Sequence, residues 1–117
     1  MTDNKRQALV DASLALVRSG LNQGTAGNVS VRDGSEMLIT PSGLPPDSTD
    51  AGMIASMPID GDGTWAGPRK PSSEWRLHRD IYRHRTDVEA VVHTHSLYAT
   101  VLATQHRTIP EIGRAHV

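Results

Sequence analysis

The stretch 88-VEAVVHTHSLYAT-100 places two of the chain's six histidines two apart, directly after small and branched apolar residues. Val91 and Val92 are strong strand formers, and side chains on a strand alternate between faces. His93 and His95 are therefore expected on one side of a strand spanning 88–95, with Thr94 on the other. Two imidazoles then lie within reach of one ion, as a site for zinc or another transition metal requires. Taken alone, the same spacing also describes two polar residues on the wetted face of a half-buried strand.

The segment before this strand reads as a helix. In GPRKPSSEWRLH, Pro71, Ser72 and Ser73 are helix-start residues, and Glu74 falls in the first turn, where a negative charge is favoured. The helix is expected to run to about His84 with Leu77, Ile81 and Tyr82 directed inward. A helix N-terminus and the end of a neighbouring strand commonly face one crevice in α/β folds. Glu74, His93 and His95 thus form a candidate Glu/His/His set for a catalytic divalent ion. Glu74 alone would read as a water-exposed partner of the helix dipole. His78 shares the helical face of Glu74 and could orient it, but reads on its own as a packed or solvated histidine. His84 and His106 have no patterned neighbours, and Tyr98 reads as packing.

Toward the N-terminus, Leu9, Ala12, Leu16 and Val17 recur at helical spacing over about 4–19, and Gly20 suits the position just past a helix end. NVSVR (28–32) alternates as a strand, Asp33-Gly34 marks a turn, and MLIT (37–40) reads as the returning strand of a hairpin. The Pro-rich loop PSGLPPDSTD ends in Ser48, Thr49 and Asp50, possible helix-start residues. A short strand is expected at 57–60, then a turn at Gly61-Asp62-Gly63. Beyond the histidine strand, 97–105 reads as helical. Mixed strands and helices with an early hairpin imply α/β layers around a mostly antiparallel sheet.

Bulk composition narrows the function. The chain has 117 residues, enough for one domain, with 12 basic and 13 acidic side chains and a net charge of −1. That balance points away from nucleic acid. Cysteine is absent, so any metal must be held by His, Asp or Glu, and a reducing cytoplasm fits. The apolar run ASLALV (12–17) is far shorter than the roughly 20 residues of a membrane span, so no membrane partner is expected. With two Trp, two Tyr and no Phe, the core must be built from Leu, Ile, Val, Ala and Met.

Three loops are rich in neutral donors: GTAGNVS (24–30), TPSG (40–43) and PSSE (71–74). Backbone N–H groups, serine hydroxyls and close-approaching glycines can together bind a phosphate, although each loop alone is an ordinary turn or cap. GTAGN lacks the Lys-Ser/Thr ending of a Walker loop.

The segments GLNQGTAGNVSVR, MLITPSGLP, KPSSEWRLH and EAVVHTHS, in this order and at this spacing, resemble the class II aldolase/adducin family over residues 5 to about 110. The resemblance is closest to its L-fuculose-phosphate aldolase branch, since related epimerases carry Asp where Glu74 stands. It implies an α/β/α arrangement around a mostly antiparallel sheet. It also implies zinc held by Glu74, His93 and His95, with Glu74 as catalytic acid/base. Asn28, Ser42, Gly43, Ser72 and Ser73 match donors to the substrate phosphate. The implied reaction is cleavage of a ketose phosphate to a ketone phosphate and an aldehyde through a metal-stabilised enediolate. The family alternatives are a sugar-phosphate epimerase, dehydratase or decarboxylase, or a non-catalytic adducin-like module. A homo-oligomer, tetrameric in the family, is implied for the complete protein.

The pattern breaks near the end. Residues 1–110 read as the N-terminal part of a single domain of this type. The segment EIGRAHV (111–117) does not match the family and reads as a non-native tail. A third metal histidine and the catalytic tyrosines of the family are missing, so the chain is expected to be an inactive fragment.

Overall fold

Strand alternation decides the layering. The computed structural model describes residues 2–22 and 27–95. Its elements are helix α1 (Thr2–Arg18), strands β1 (Asn28–Asp33), β2 (Glu36–Ile39) and β3 (Ala55–Pro58), helix α2 (Trp75–His84) and strand β4 (Ala90–His93). The strands form an antiparallel sheet in the order β3-β2-β1-β4. The helix expected at 97–105 and the tail at 111–117 lie outside the described residues. Among the described residues no helix is long and apolar enough to cross a membrane.

Successive residues of β1 and β2 point to opposite faces, and both faces are covered. Val29 and Leu38 join Leu9, Val10 and Ile54 in a cluster beneath α1. Met37 and Ile39 join Ala55, Met57, Ile59 and Tyr82 in a second cluster beneath α2. The result is the expected α/β/α sandwich. Leu38, Ile39 and Ile54 are wholly buried, and each such side chain contributes roughly 1.5–3 kcal/mol through its removal from water.

Helix α1 ends as its sequence suggests, with Gly20 at φ +81°, a conformation costly for residues with a Cβ. The hairpin turns at Asp33-Gly34, with Asp33 opposite Glu36. Three expectations are corrected. The strand placed at 57–60 lies at 55–58 because Ile54 and Ala55 enter the core first. Ser48, Thr49 and Asp50 start no α-helix, although Asp50 does stand at the N-terminus of a short 3-10 turn. The chain makes only single 3-10 turns at Pro46–Ser48 and Ala51–Met53, because it must return to the sheet at Ala55. Leu77 is not inward but 42% exposed. The buried seam of α2 runs instead through His78 and Tyr82, four residues apart on one helical face.

The reason lies in β1. Asn28, Ser30 and Arg32 share the face opposite Val29, and that face is covered by α2. Arg32 ties the far end of α2 to the sheet: its Nη2 donates to the carbonyls of Tyr82 (2.9 Å) and Arg85 (3.1 Å). Its Nε donates to Val88 O at 3.0 Å. A cation among the carbonyls at a helix C-terminus also opposes the helix dipole. Replacing Arg32 by Met keeps most of the stem but removes these donors. Since a hydrogen bond to a charged group contributes about 1.5–3 kcal/mol, urea unfolding of Arg32→Met is expected to show a loss of about 2–4 kcal/mol. A loss below about 0.5 kcal/mol, the range of neutral surface changes, would refute this fastening.

Candidate metal centre

Glu74, His93 and His95 converge, each offering one ligand atom within 4.8 Å of the others. Glu74 is the N-cap residue of α2, one position before the first turn in which it was expected. His93 is the last residue of β4, beside Asn28 at the start of β1. Nε2 of His93 lies 3.0 Å from Glu74 Oε2, and Nε2 of His95 lies 3.7 Å from Glu74 Oε1. The two Nε2 atoms are 2.9 Å apart. Donor atoms about 2.0–2.2 Å from a tetrahedral zinc lie roughly 3.3–3.6 Å from one another. The two contacts to Glu74 use its different oxygens. With one donor atom taken from each residue all three lie within 4.8 Å, so the set can close on one small divalent ion with nitrogen and oxygen ligands by small side-chain movements.

The strand expected to reach residue 95 stops at 93, so alternation alone does not aim His95. A buried asparagine does. Asn22 Oδ1 accepts the backbone N–H of His95 at 2.9 Å. Gly27 leaves the room this needs, because a Cβ built on it would overlap the Asn22 amide. Both residues stand in the GLNQGTAGN segment. The reading of GTAGNVS as a donor-rich loop gives neither residue this use; the signal is an asparagine amide five residues before a bare glycine.

Behind the ligands lies a connected set of buried polar groups. Asn28 Nδ2 donates to Glu74 Oε1 at 3.0 Å. Asn28 Oδ1 is hydrogen-bonded to His78 Nε2. His78 Nδ1 meets Ser30 Oγ at 2.6 Å, and Ser30 Oγ meets the Tyr82 hydroxyl at 2.7 Å. His78 and Ser30 are fully inaccessible to water. His78 is thus a packed histidine. Burial first, and then the neighbouring His93, lowers its pKa to about 4, against a smaller opposing pull from Glu74. Burial likewise raises that of Tyr82.

The two serine-bearing loops are stitched side by side. Ser42 N–H donates to Lys70 O and Ser72 N–H to Thr40 O, both at 2.9 Å, across a bridge between Pro41 and Pro71. Gly43 follows with φ +67° and is exposed, as are Ser42 and Ser73. Ser72 is buried, and its Oγ accepts the Glu74 N–H at 3.3 Å. Ser73 opens onto a groove of about 370 Å³ also lined by Lys70 and Arg76. Asn28, expected among the same donors, has both ends of its amide engaged by Glu74 and His78. Residues 24–26 of the third donor-rich loop lie outside the described residues.

Comparison with known proteins gives a consistent picture. The family model described as "Class II Aldolase and Adducin N-terminal domain" matches residues 7–117. The 5-methylthioribulose-1-phosphate/5-deoxyribulose-1-phosphate aldolase of Rhodospirillum rubrum is 54% identical over 105 residues, 90% of this chain and 47% of that protein. The L-fuculose phosphate aldolase of Escherichia coli K12 is 46% identical over 104 residues, 89% of this chain and 47% of that protein. Among solved structures, an L-fuculose 1-phosphate aldolase superposes with a TM-score of 0.81 at 39% identity, covering 89% of this chain and 50% of the other. The chain therefore spans about half the length of the curated relatives it matches.

The lowered pKa of His78 has a consequence for stability. Between pH 6.5 and about 4 the unfolded chain protonates this imidazole while the folded chain does not. The associated stability is complete above pH 6.5 and is lost as the pH falls through that window. At 1.36 kcal/mol per unit the loss is about 3 kcal/mol. Denaturant titrations of the metal-free protein at pH 7 and pH 4 should show that extra loss in wild type and not in His78→Gln. Identical acid sensitivity of the two would rule it out.

Proposed function

The chain belongs to the class II aldolase and adducin family, and from that premise we propose that it supplies the metal-binding and proton-transfer groups of an aldolase. Its substrate would be a ketose 1-phosphate, cleaved to a ketone phosphate and an aldehyde. The observation that carries this reading is the convergence of Glu74, His93 and His95, next to two joined serine loops. The related proteins named above are aldolases acting on 1-phosphorylated ketoses, which favours that reaction over epimerisation, dehydration or decarboxylation. A purely structural module has no use for three converging ligands.

Glu74, His93 and His95 hold the ion, and zinc suits two imidazole nitrogens and one carboxylate oxygen. When bound, such an ion supplies Lewis acidity, stabilising the negative charge that develops on substrate oxygen as the carbon–carbon bond breaks. The remaining work falls to the chain. The Glu74 carboxylate is the group that moves a proton at carbon. In cleavage the hydrogen lost by the substrate hydroxyl that becomes the aldehyde passes to Glu74, which delivers it to the carbon freed. In the condensation direction Glu74 removes that hydrogen from carbon and returns it to the oxygen. The hydroxyls of Ser42, Ser72 and Ser73 and the Gly43 backbone donate to the phosphate, beside the positive side chains of Lys70 and Arg76. Asn28 joins that set through the second hydrogen on its Nδ2, the first being given to Glu74. Lysine Schiff-base chemistry is not required, since Lys5 is spent on Arg32 O and Asp33 and Lys70 is exposed. Family resemblance extends the reading to a cytoplasmic homotetramer.

Two measurements on the complete protein test the assignment. Glu74→Gln keeps the shape but cannot accept a proton, and it is expected to lower turnover by about 10²–10⁴-fold. Near-normal kcat would remove Glu74 from the chemistry. Ser72→Ala with Ser73→Ala should raise KM for a phosphorylated ketose well beyond any change for its dephosphorylated analogue, each lost charged hydrogen bond being worth about 1.5–3 kcal/mol. Equal losses with both substrates would contradict phosphate binding by this loop.

A further inference from the structure

With the Glu74 carboxylate ionised and the His78 imidazole neutral, the buried polar set behind Glu74 has one consistent arrangement of hydrogens. An ionised carboxylate accepts and cannot donate, so the Asn28 group facing Glu74 Oε1 must be the NH₂. The Asn28 carbonyl then faces His78 Nε2, which must carry the hydrogen. A neutral imidazole with a hydrogen on Nε2 has a bare Nδ1, so Ser30 donates to it. Ser30 has no second hydrogen, and Tyr82 must donate to Ser30. Every donor from Tyr82 onward points toward the Glu74 charge, so the dipoles reinforce one another in an environment without water.

Resting on the metal reading above, we propose that His78 is a positioning residue that sets the orientation of Glu74 for the ion. Its Nε2–H holds the Asn28 amide with the nitrogen, rather than the oxygen, toward the carboxylate. The hydrogen bonds of His78 go to Asn28 and Ser30 and to none of Glu74, His93 and His95, so it acts on the ligand through Asn28. Without that donor the Asn28 carbonyl is left buried and unanchored, so the amide is held only by the carboxylate it should be positioning and no longer fixes Glu74 against His93 and His95. The reason a buried imidazole sits here at all follows. Its two nitrogens differ, so it accepts from Ser30 and donates to Asn28 at once, and no apolar side chain of similar volume passes on that direction.

The test is a double-mutant cycle read by cobalt(II) binding to the full chain, followed by the visible spectrum of the bound ion. His78→Phe is expected to weaken cobalt binding about 10–100-fold, the usual effect of losing a group that orients a ligand. In a Glu74→Gln background the same change should cost nothing further, because an amide at 74 accepts either orientation of Asn28. His78→Gln, which keeps an N–H and an acceptor, should recover most of the affinity. Equal losses in both backgrounds, or no loss at all, would overturn the proposal while leaving the metal site intact. Cobalt affinity untouched by Glu74→Gln would instead remove Glu74 from the site, and the functional reading and this one would fall together. Should His78→Phe not fold, ¹⁵N NMR of the wild-type imidazole decides. A hydrogen on Nε2 at neutral pH agrees with the proposal, and one on Nδ1 refutes it.

Discussion

A polar strand face with no access to water has to find every hydrogen-bond partner inside the protein, and β1 presents such a face to α2. Asn28 and Ser30 are buried there, and Arg32 is half-buried beside them. Leaving any one of these groups unpaired would cost about 1–3 kcal/mol, a sizeable share of the stability of a small domain. The helix answers with His78 for Asn28 and Ser30, Tyr82 for Ser30, and its last carbonyls for Arg32. That matching admits one axial position of α2 and one rotation about its axis. Glu74, at the N-terminal end of the helix, inherits both.

The opposite face of the sheet is organised differently. Beneath α1 the buried contacts are Leu9, Val10, Val29, Leu38 and Ile54, side chains that attract without direction, with Lys5 and Arg6 donating to the Arg32 and Ile54 carbonyls at the rim. Burial supplies most of the cohesion on that side, whereas on the α2 side the buried contacts themselves are hydrogen-bonded. The difference suits the location of the ligands, which lie where directional bonds define position: Glu74 through Asn28, His93 through strand pairing opposite Asn28, and His95 through Asn22.

Much of this was legible in the residues. The 3.6-residue spacing of α1, the alternation of NVSVR, the Asp33-Gly34 turn and the His-x-His pair after two valines each announced the element that is found. The convergence of Glu74 with His93 and His95 followed from placing a helix start against a strand end. Alternation, however, states which residues share a face and not whether that face is wet. Nothing local in NVSVR says that Asn28 and Ser30 are covered, so α2 looked as though it should bury Leu77, and whether His78 was packed or solvated stayed open. Nor could periodicity foresee that β4 stops at His93 and that a distant amide, admitted by a bare Gly27, aims His95. These are properties of pairs of segments far apart in the chain, and a window of neighbouring residues does not contain them.

The strand order bears on how the site comes into being. The strands β1, β2 and β3 follow one another along the chain and pair as neighbours, but β4 must return across most of the described residues to lie beside β1, with His93 opposite Asn28. Closing so long a loop carries an entropic penalty that nearby contacts cannot offset until late, and pairings of this kind slow folding. During synthesis the hairpin and β3 emerge well before the histidines do. The ligands are thus assembled only when β4 docks against β1, so an ion held by all three certifies that pairing and cannot act as the seed around which the earlier strands form.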